Sequence, residues 1–169
     1  MIEVSFKDIN TFNNKIPRIE IVLNEQVIYR GIVEEYITVS KFLWKASLGG
    51  SAETNNVRIY FTNKTDKDTQ VNEHKDIVND LNFTLEKIAI DGVDVEHLIW
   101  ESNYVTDNET IPSCLFFGPK GYFDFNFKLP ILKWFLKTNN DKNNKDPHWE
   151  QDYELYIRTL AWHKENRAV

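Results

Sequence analysis

Cysteine is almost missing from this chain. Cys114 is the only one among 169 residues, so no intramolecular disulfide can form and no cysteine-based zinc site can be completed. Its neighbours Leu115, Phe116 and Phe117 are apolar, which predicts a buried core thiol and not an activated nucleophile. Glycine and proline are scarce as well, six and five residues, while hydrophobic residues make up 41%; that balance excludes a disordered chain, which could not offset its ordering entropy. Positive charge is in deficit, 20 Lys and Arg against 26 Asp and Glu for a net −6. Neutralising a run of phosphates takes a broad basic face, so nucleic acid and anionic membrane are disfavoured as partners. No apolar run approaches a membrane span. The N-terminal stretch, with Glu3 and Lys7, does not read as a secretory signal, so a soluble, cytoplasmic product is expected.

The catalytic and cofactor motifs are missing too. There is no GxxxxGK[ST], no GxGxxG after a strand, no HExxH and no GxSxG, which removes the geometry of phosphate cradles, zinc proteases and hydrolase elbows. Gly118-Pro119-Lys120-Gly121 reads as a turn before a strand. His74, His97, His148 and His163 share no short ligand spacing. No catalytic residue, cofactor site or metal ligand set is therefore assigned, and the chain is not expected to be an enzyme.

What is present is β-pattern. Arg18 to Leu23 and Gln26 to Arg30 read as a hairpin across Asn24-Glu25, with Gly31 ending or bulging the second strand. Glu35 to Val39 and Val57 to Thr62 are further strands. Lys41 to Leu48 reads as a strand extension or a short helix, and Leu48 to Asn56 as a loop. Asn63 to Asn82 reads as a long polar connection with only Val71, Ile77 and Val78 to bury. Leu85 to Ile90 alternates again, with Leu85, Lys87 and Ala89 on one side and Glu86, Ile88 and Ile90 on the other, closed by Asp91-Gly92. In Tyr122 to Lys128 three phenylalanines, Phe123, Phe125 and Phe127, share one face and demand cover. Ile131 to Leu136 fits either a strand or one or two helical turns. Thr138 to Lys145 reads as a polar linker, and Asp146-Pro147 as the start of an amphipathic helix to about Glu165 carrying Tyr153, Tyr156, Ile157, Leu160 and Ala161. Strands first and a helix last, without strand-helix alternation, predict a mainly β fold, an antiparallel β-sandwich of jelly-roll-like type with a C-terminal α-helix. The sandwich is expected over 1–137, with linker and helix over 138–169.

Two loops crowd oxygen ligands. Asp66, Asp68, Asn72 and Glu73 form one group and Asp91 and Asp94 the other. Either could hold calcium, although the first lacks the glycine and distal glutamate of an EF-hand and the second is hairpin-turn chemistry. The aromatics are the more informative surplus: Trp44, Trp100, Trp134, Trp149 and Trp162 stand beside seven Tyr and eleven Phe. Such rings fill cores and subunit contacts, or, when exposed, stack against sugars.

Arg18-Ile-Glu-Ile-Val-Leu-Asn-Glu25, Asn63-Lys64 through Asp68-Thr69, Ile77-Val-Asn-Asp80, Ile88-Ala-Ile-Asp-Gly-Val-Asp-Val95 and the aromatic strand leading to Pro130 and Trp134 resemble small proteins of unassigned function encoded by tailed bacteriophages. The resemblance covers about two-thirds of the chain, leaves out the C-terminal helix and transfers no site residue. It implies a β-sandwich virion component, such as a decoration, head-fibre or tail-associated protein. Its partners would be other virion subunits or further copies of itself, with glycans as further ligands.

Overall fold

The computed structural model describes residues 1–40, 54–95, 98, 102–143, 151, 153–155 and 157–158. Their strands are β1 (Ile2–Asn10), β2 (Arg18–Leu23), β3 (Gln26–Ile32), β4 (Tyr36–Val39), β5 (Thr54–Phe61), β6 (Thr69–Val71), β7 (Ile77–Asp80), β8 (Asn82–Ile90), β9 (Val93–Asp94), β10 (Asn103–Thr106), β11 (Thr110–Pro112), β12 (Phe116–Phe117) and β13 (Gly121–Lys128), followed by helix α1 (Ile131–Asn143). A five-stranded sheet runs β12-β8-β1-β4 with β9 beside β8, a six-stranded sheet runs β11-β10-β13-β5-β2-β3, and β6 and β7 pair by themselves. All pairings are antiparallel. The fold is mainly β, as expected. Among the described residues no helix is long and apolar enough to cross a membrane.

Aromatic rings from the inner faces join the two large sheets. Phe83 of β8 meets Phe61 of β5 edge-on at 4.9 Å, and Phe117 of β12 meets Tyr104 of β10 at 4.9 Å. Phe83 and Phe117 stack at 4.5 Å, and Phe123, Phe125 and Phe127 continue the row along β13, all buried. Phe117, 6.5 Å from Phe123, and Trp134 of α1, edge-on to Phe125 and Phe127, supply cover that the alternation in β13 demands. Edge-to-face and offset pairs add to the stabilisation from burial alone.

The tight turns follow from residues that tolerate positive φ. Asn24 and Glu25 lie at φ 49° and 70°, and Asp91 and Gly92 at 49° and 80°, the paired left-handed dihedrals of two-residue hairpin loops. Asn24 also exchanges hydrogen bonds with Asn55 and Asn56, fastening its turn to β5.

Several expectations need correction. Gly31 neither ends nor bulges β3, which continues to Ile32; the irregularity lies at Ile28, because Tyr29 faces Ile21 while Val27 faces Val22. The Tyr29 ring fills the space where a side chain at 31 would go. In β8, Lys87 faces Ser5 and Leu85 faces Phe6, so Glu86 is an extra residue. A bulge of this kind reverses the alternation, and Phe83, Leu85, Ile88 and Ile90 are all buried despite the sequence phase that separated Leu85 from Ile88. Thr54, Asn55 and Asn56 belong to β5 and not to a loop. Cys114 packs against the core only half-buried, not within it.

The linker expected from Thr138 is helical as far as Asn143, so α1 crosses the anticipated boundary at 137/138. Once Ile131 is buried and Trp134 and Phe135 pack on the core, elongation adds residues at little further cost, even through Asn-rich sequence. Residues 151, 153–155 and 157–158 are helical, in keeping with the expected second helix. Tyr153 is buried, with the Lys133 ammonium of α1 5.7 Å from its ring centre. Ile157, expected on the same apolar face, is exposed. Tyr156, Leu160 and Ala161, the segment 41–53 and the helix start at Asp146-Pro147 lie outside the described residues.

Candidate functional site

Between β5 in one large sheet and β8 in the other, the chain does not cross as a plain loop. A single 3-10 turn, Asp66–Asp68, leads into the β6–β7 hairpin. The root of this hairpin is ionic. Lys64, 6% exposed, carries its ammonium to the Asp80 carboxylate, 8% exposed, and donates to Thr69 Oγ1 at 3.1 Å and the Leu81 carbonyl at 2.9 Å. Asp80 also accepts from Thr69 Oγ1 and from Asn82 Nδ2 at 3.0 Å. Few lysines are buried so deeply, and those that are need this density of partners. Beside it, Asp68 Oδ2 accepts from Lys15 Nζ at 2.6 Å and from the Thr65 N–H and hydroxyl at 2.8 and 2.7 Å. Burial alone would raise the Asp68 carboxyl, but the hydrogen bonds from Lys15 and Thr65 outweigh it and hold the group below its ordinary value.

At the far end, Asn72 Oδ1 accepts the N–H groups of His74 and Asp76, both at 2.9 Å, closing the loop with Lys75 at φ 68°. Val71, Ile77 and Val78, expected to be the buried residues of this segment, are instead 54%, 65% and 56% exposed. The reason is topological, since among the described residues the hairpin pairs with neither large sheet and has no layer above it. Register places Thr69 opposite Asp80 and Val71 opposite Ile77. Alternation puts Val71 on the face of Thr69, and a register shift that leaves Val78 as an extra residue brings Ile77 round to the same face as Asp80.

That face forms one wall of a groove of about 490 Å³. Opposite lie the turn from Thr106 to Glu109, the Gly118-Pro119-Lys120 turn and the ring of Phe116. Phe117 and Phe116 alternate in and out of the edge strand β12, leaving Phe116 46% exposed. Its ring lies over Gly118, where there is no room for a Cβ. The turn is set by Thr106, whose hydroxyl accepts the Glu109 N–H at 3.0 Å and donates to the Glu109 carbonyl at 3.1 Å. Behind the groove the buried Tyr104 hydroxyl donates to the Pro119 carbonyl at 2.6 Å, and burial pushes its phenol well up. The site thus has an aliphatic and aromatic wall, a neutralised ion pair at its base, and carboxylates from Asp66, Asp107 and Glu109 around it.

Asp66 and Asp68 stand at the hairpin root, while Asn72 is committed to the distal turn. Asp91 pairs with the Met1 amine, and Asp94 with Lys87 at 2.9 Å. Among the described residues no cluster of three or more His, Cys, Asp or Glu could hold a metal ion. Of the five tryptophans, Trp134 is partly buried, edge-on to Phe125 at 5.9 Å and Phe127 at 6.5 Å, and so it seals the end of the β13 ring row. Trp44, Trp100, Trp149 and Trp162 lie outside the described residues.

A different aromatic pair lies on the other surface of the six-stranded sheet. Tyr60 and Tyr122 are cross-strand partners with ring centres 4.8 Å apart. Arg58 sits over Tyr122 and donates to Asp124 at 2.7 Å, and Glu20 opens on the same shallow pocket as the two tyrosines. The strand pattern could have located both features. Residues 57–61 alternate, and two β-branched runs flanking Asn72 to Asp76 carry a hairpin signal. No family model, curated protein or solved structure matches the chain.

Proposed function

We propose that this chain is a non-catalytic assembly protein that acts through protein–protein contacts at the β6–β7 hairpin, as a structural or decoration subunit of a virion. The observation that carries the reading is the outward display of Val71, Ile77 and Val78 on the hairpin, where Ile77 lines a groove together with the exposed ring of Phe116. Single exposed aliphatics are ordinary, but a contiguous set on an element with a rigid ionic root is what a partner surface covers. The phage resemblance supplies the virion setting, with the cytoplasm of the producing cell as the place of synthesis. Mass spectrometry of purified particles should find the chain, and Val71→Thr/Ile77→Thr/Val78→Thr should abolish its incorporation while the protein still folds. Particles that lack the wild-type chain would sink the reading.

A second reading is favoured by Tyr60 and Tyr122. Two rings flanked by Glu20, Arg58 and Asp124 have the composition of a sugar platform, in which ring faces meet the apolar face of a sugar and charged neighbours bond its hydroxyls. A glycan array probed with and without calcium decides it, since loss of a signal in Tyr122→Ala would support the reading and a blank array in both conditions would reject it.

A further inference from the structure

We infer that the groove between the β6–β7 hairpin and Phe116 takes an extended segment of a partner protein in which an apolar side chain is flanked by lysine or arginine. The inference rests on the protein-contact reading above and adds the chemistry of the partner.

The lining divides into two parts with different demands. Ile77 and Phe116 offer an apolar wall, continued by Val71 on the same hairpin face, and leaving these exposed forfeits the burial gained elsewhere. An apolar side chain entering between them would remove that surface from water. The charged part is asymmetric. Lys64 and Asp80 satisfy one another at the base, which leaves Asp66, Asp107 and Glu109 facing a single further cation, Lys120. Lys120 reaches Asp107 only at 3.8 Å, with the two side chains 63% and 82% exposed, so it offsets little of the local negative potential. Asp66 and Glu109 take part in no ion pair among the described residues. An acidic partner or a phosphate backbone would meet like charge here, whereas Lys or Arg would meet carboxylates over a π face that also attracts cations. The groove, about 490 Å³ and lined by the hairpin and two facing turns, has room for a few side chains only, which suits a short extended segment in preference to a globular knob.

The test uses the full chain and two fluorescein-labelled peptides, Gly-Lys-Leu-Lys-Trp-Lys-Gly and the same sequence with Glu in place of Lys, read by fluorescence anisotropy. The lysine peptide should bind about tenfold more tightly than the glutamate peptide, the size of a few exposed ion pairs acting together. The preference should shrink as NaCl rises from about 50 to about 500 mM. Asp66→Lys/Asp107→Lys/Glu109→Lys should invert it. Ile77→Thr should weaken both peptides, with circular dichroism confirming that each variant is folded. Equal affinity for the two peptides, no binding of either, or a preference indifferent to the lysine substitutions would overturn the inference. Such a result with particle incorporation still lost in the hairpin variant would remove only the partner chemistry. Incorporation that survives the hairpin variant would remove the reading on which it rests.

Discussion

In the sandwich, phenylalanine and aliphatic side chains point inward between two sheets, and ionic contacts such as Arg58–Asp124 lie on the outside. The β6–β7 hairpin reverses this order, with Lys64, Asp80 and Asp68 buried at its root and Val71, Ile77 and Val78 facing out. Both regions are antiparallel β-structure made from similar residues, so the difference does not come from secondary structure. It comes from layering. A sheet with a second sheet across it can bury an apolar face, whereas a two-stranded element without one cannot, and such elements are marginal when alone. The hairpin is held by hydrogen-bonded charge at one end, which leaves its apolar face for something else.

Four measurements test this contrast. The largest effect is expected in the body: Phe117→Ala removes a ring that contacts Phe83, Tyr104 and Phe123, and should cost about 4 kcal/mol in urea denaturation. A loss well under half of that would mean that the ring row is not the core. Next comes the hairpin root, where Lys64→Met strands the Asp80 carboxylate and should cost about 3 kcal/mol. Adding Asp80→Leu should restore much of it, because removing both charges removes the desolvation problem. A double variant worse than the single would show that Thr69 and Asn82, not Lys64, govern the site.

Asp68→Asn should be milder, about 2 kcal/mol for the loss of charged hydrogen bonds to Lys15 and Thr65. Because the folded-state carboxyl lies below its ordinary value of about 3.9, its contribution is fully present above that pH and is lost as pH falls through the depressed value. Acid titration followed by circular dichroism should therefore show a shallower loss below about pH 4 in the variant than in the parent. Curves of equal slope would contradict that assignment. The smallest stability change belongs to the exposed face: Val71→Thr, Ile77→Thr and Val78→Thr should each stay within about 0.5 kcal/mol in thermal melts. A large loss there would mean that the hairpin face is structural and not reserved for contact.

Much of the body was legible because its signals are local. Three phenylalanines at period 2 predict β13, and Asn24-Glu25 and Asp91-Gly92 predict their turns, since backbone tolerance of positive φ belongs to the residue itself. The bulge at Glu86 was hidden because it depends on how β8 registers against β1, some eighty residues away. The candidate site was still less visible. Val71, Ile77 and Val78 look like buried residues in any window of sequence, and Lys64 and Asp80 look like surface charge. Neither view accounts for what stands beside them in space.

Periodicity and turn chemistry, which act within a few residues, are enough to specify a β-rich chain, its main hairpins, the apolar row of β13 and the helical content near the C-terminus. Which apolar residues are inside and which charges are neutralised depends on long-range packing. Burial is a property of the layer that lies opposite, and for the β6–β7 hairpin no layer of the described chain lies there.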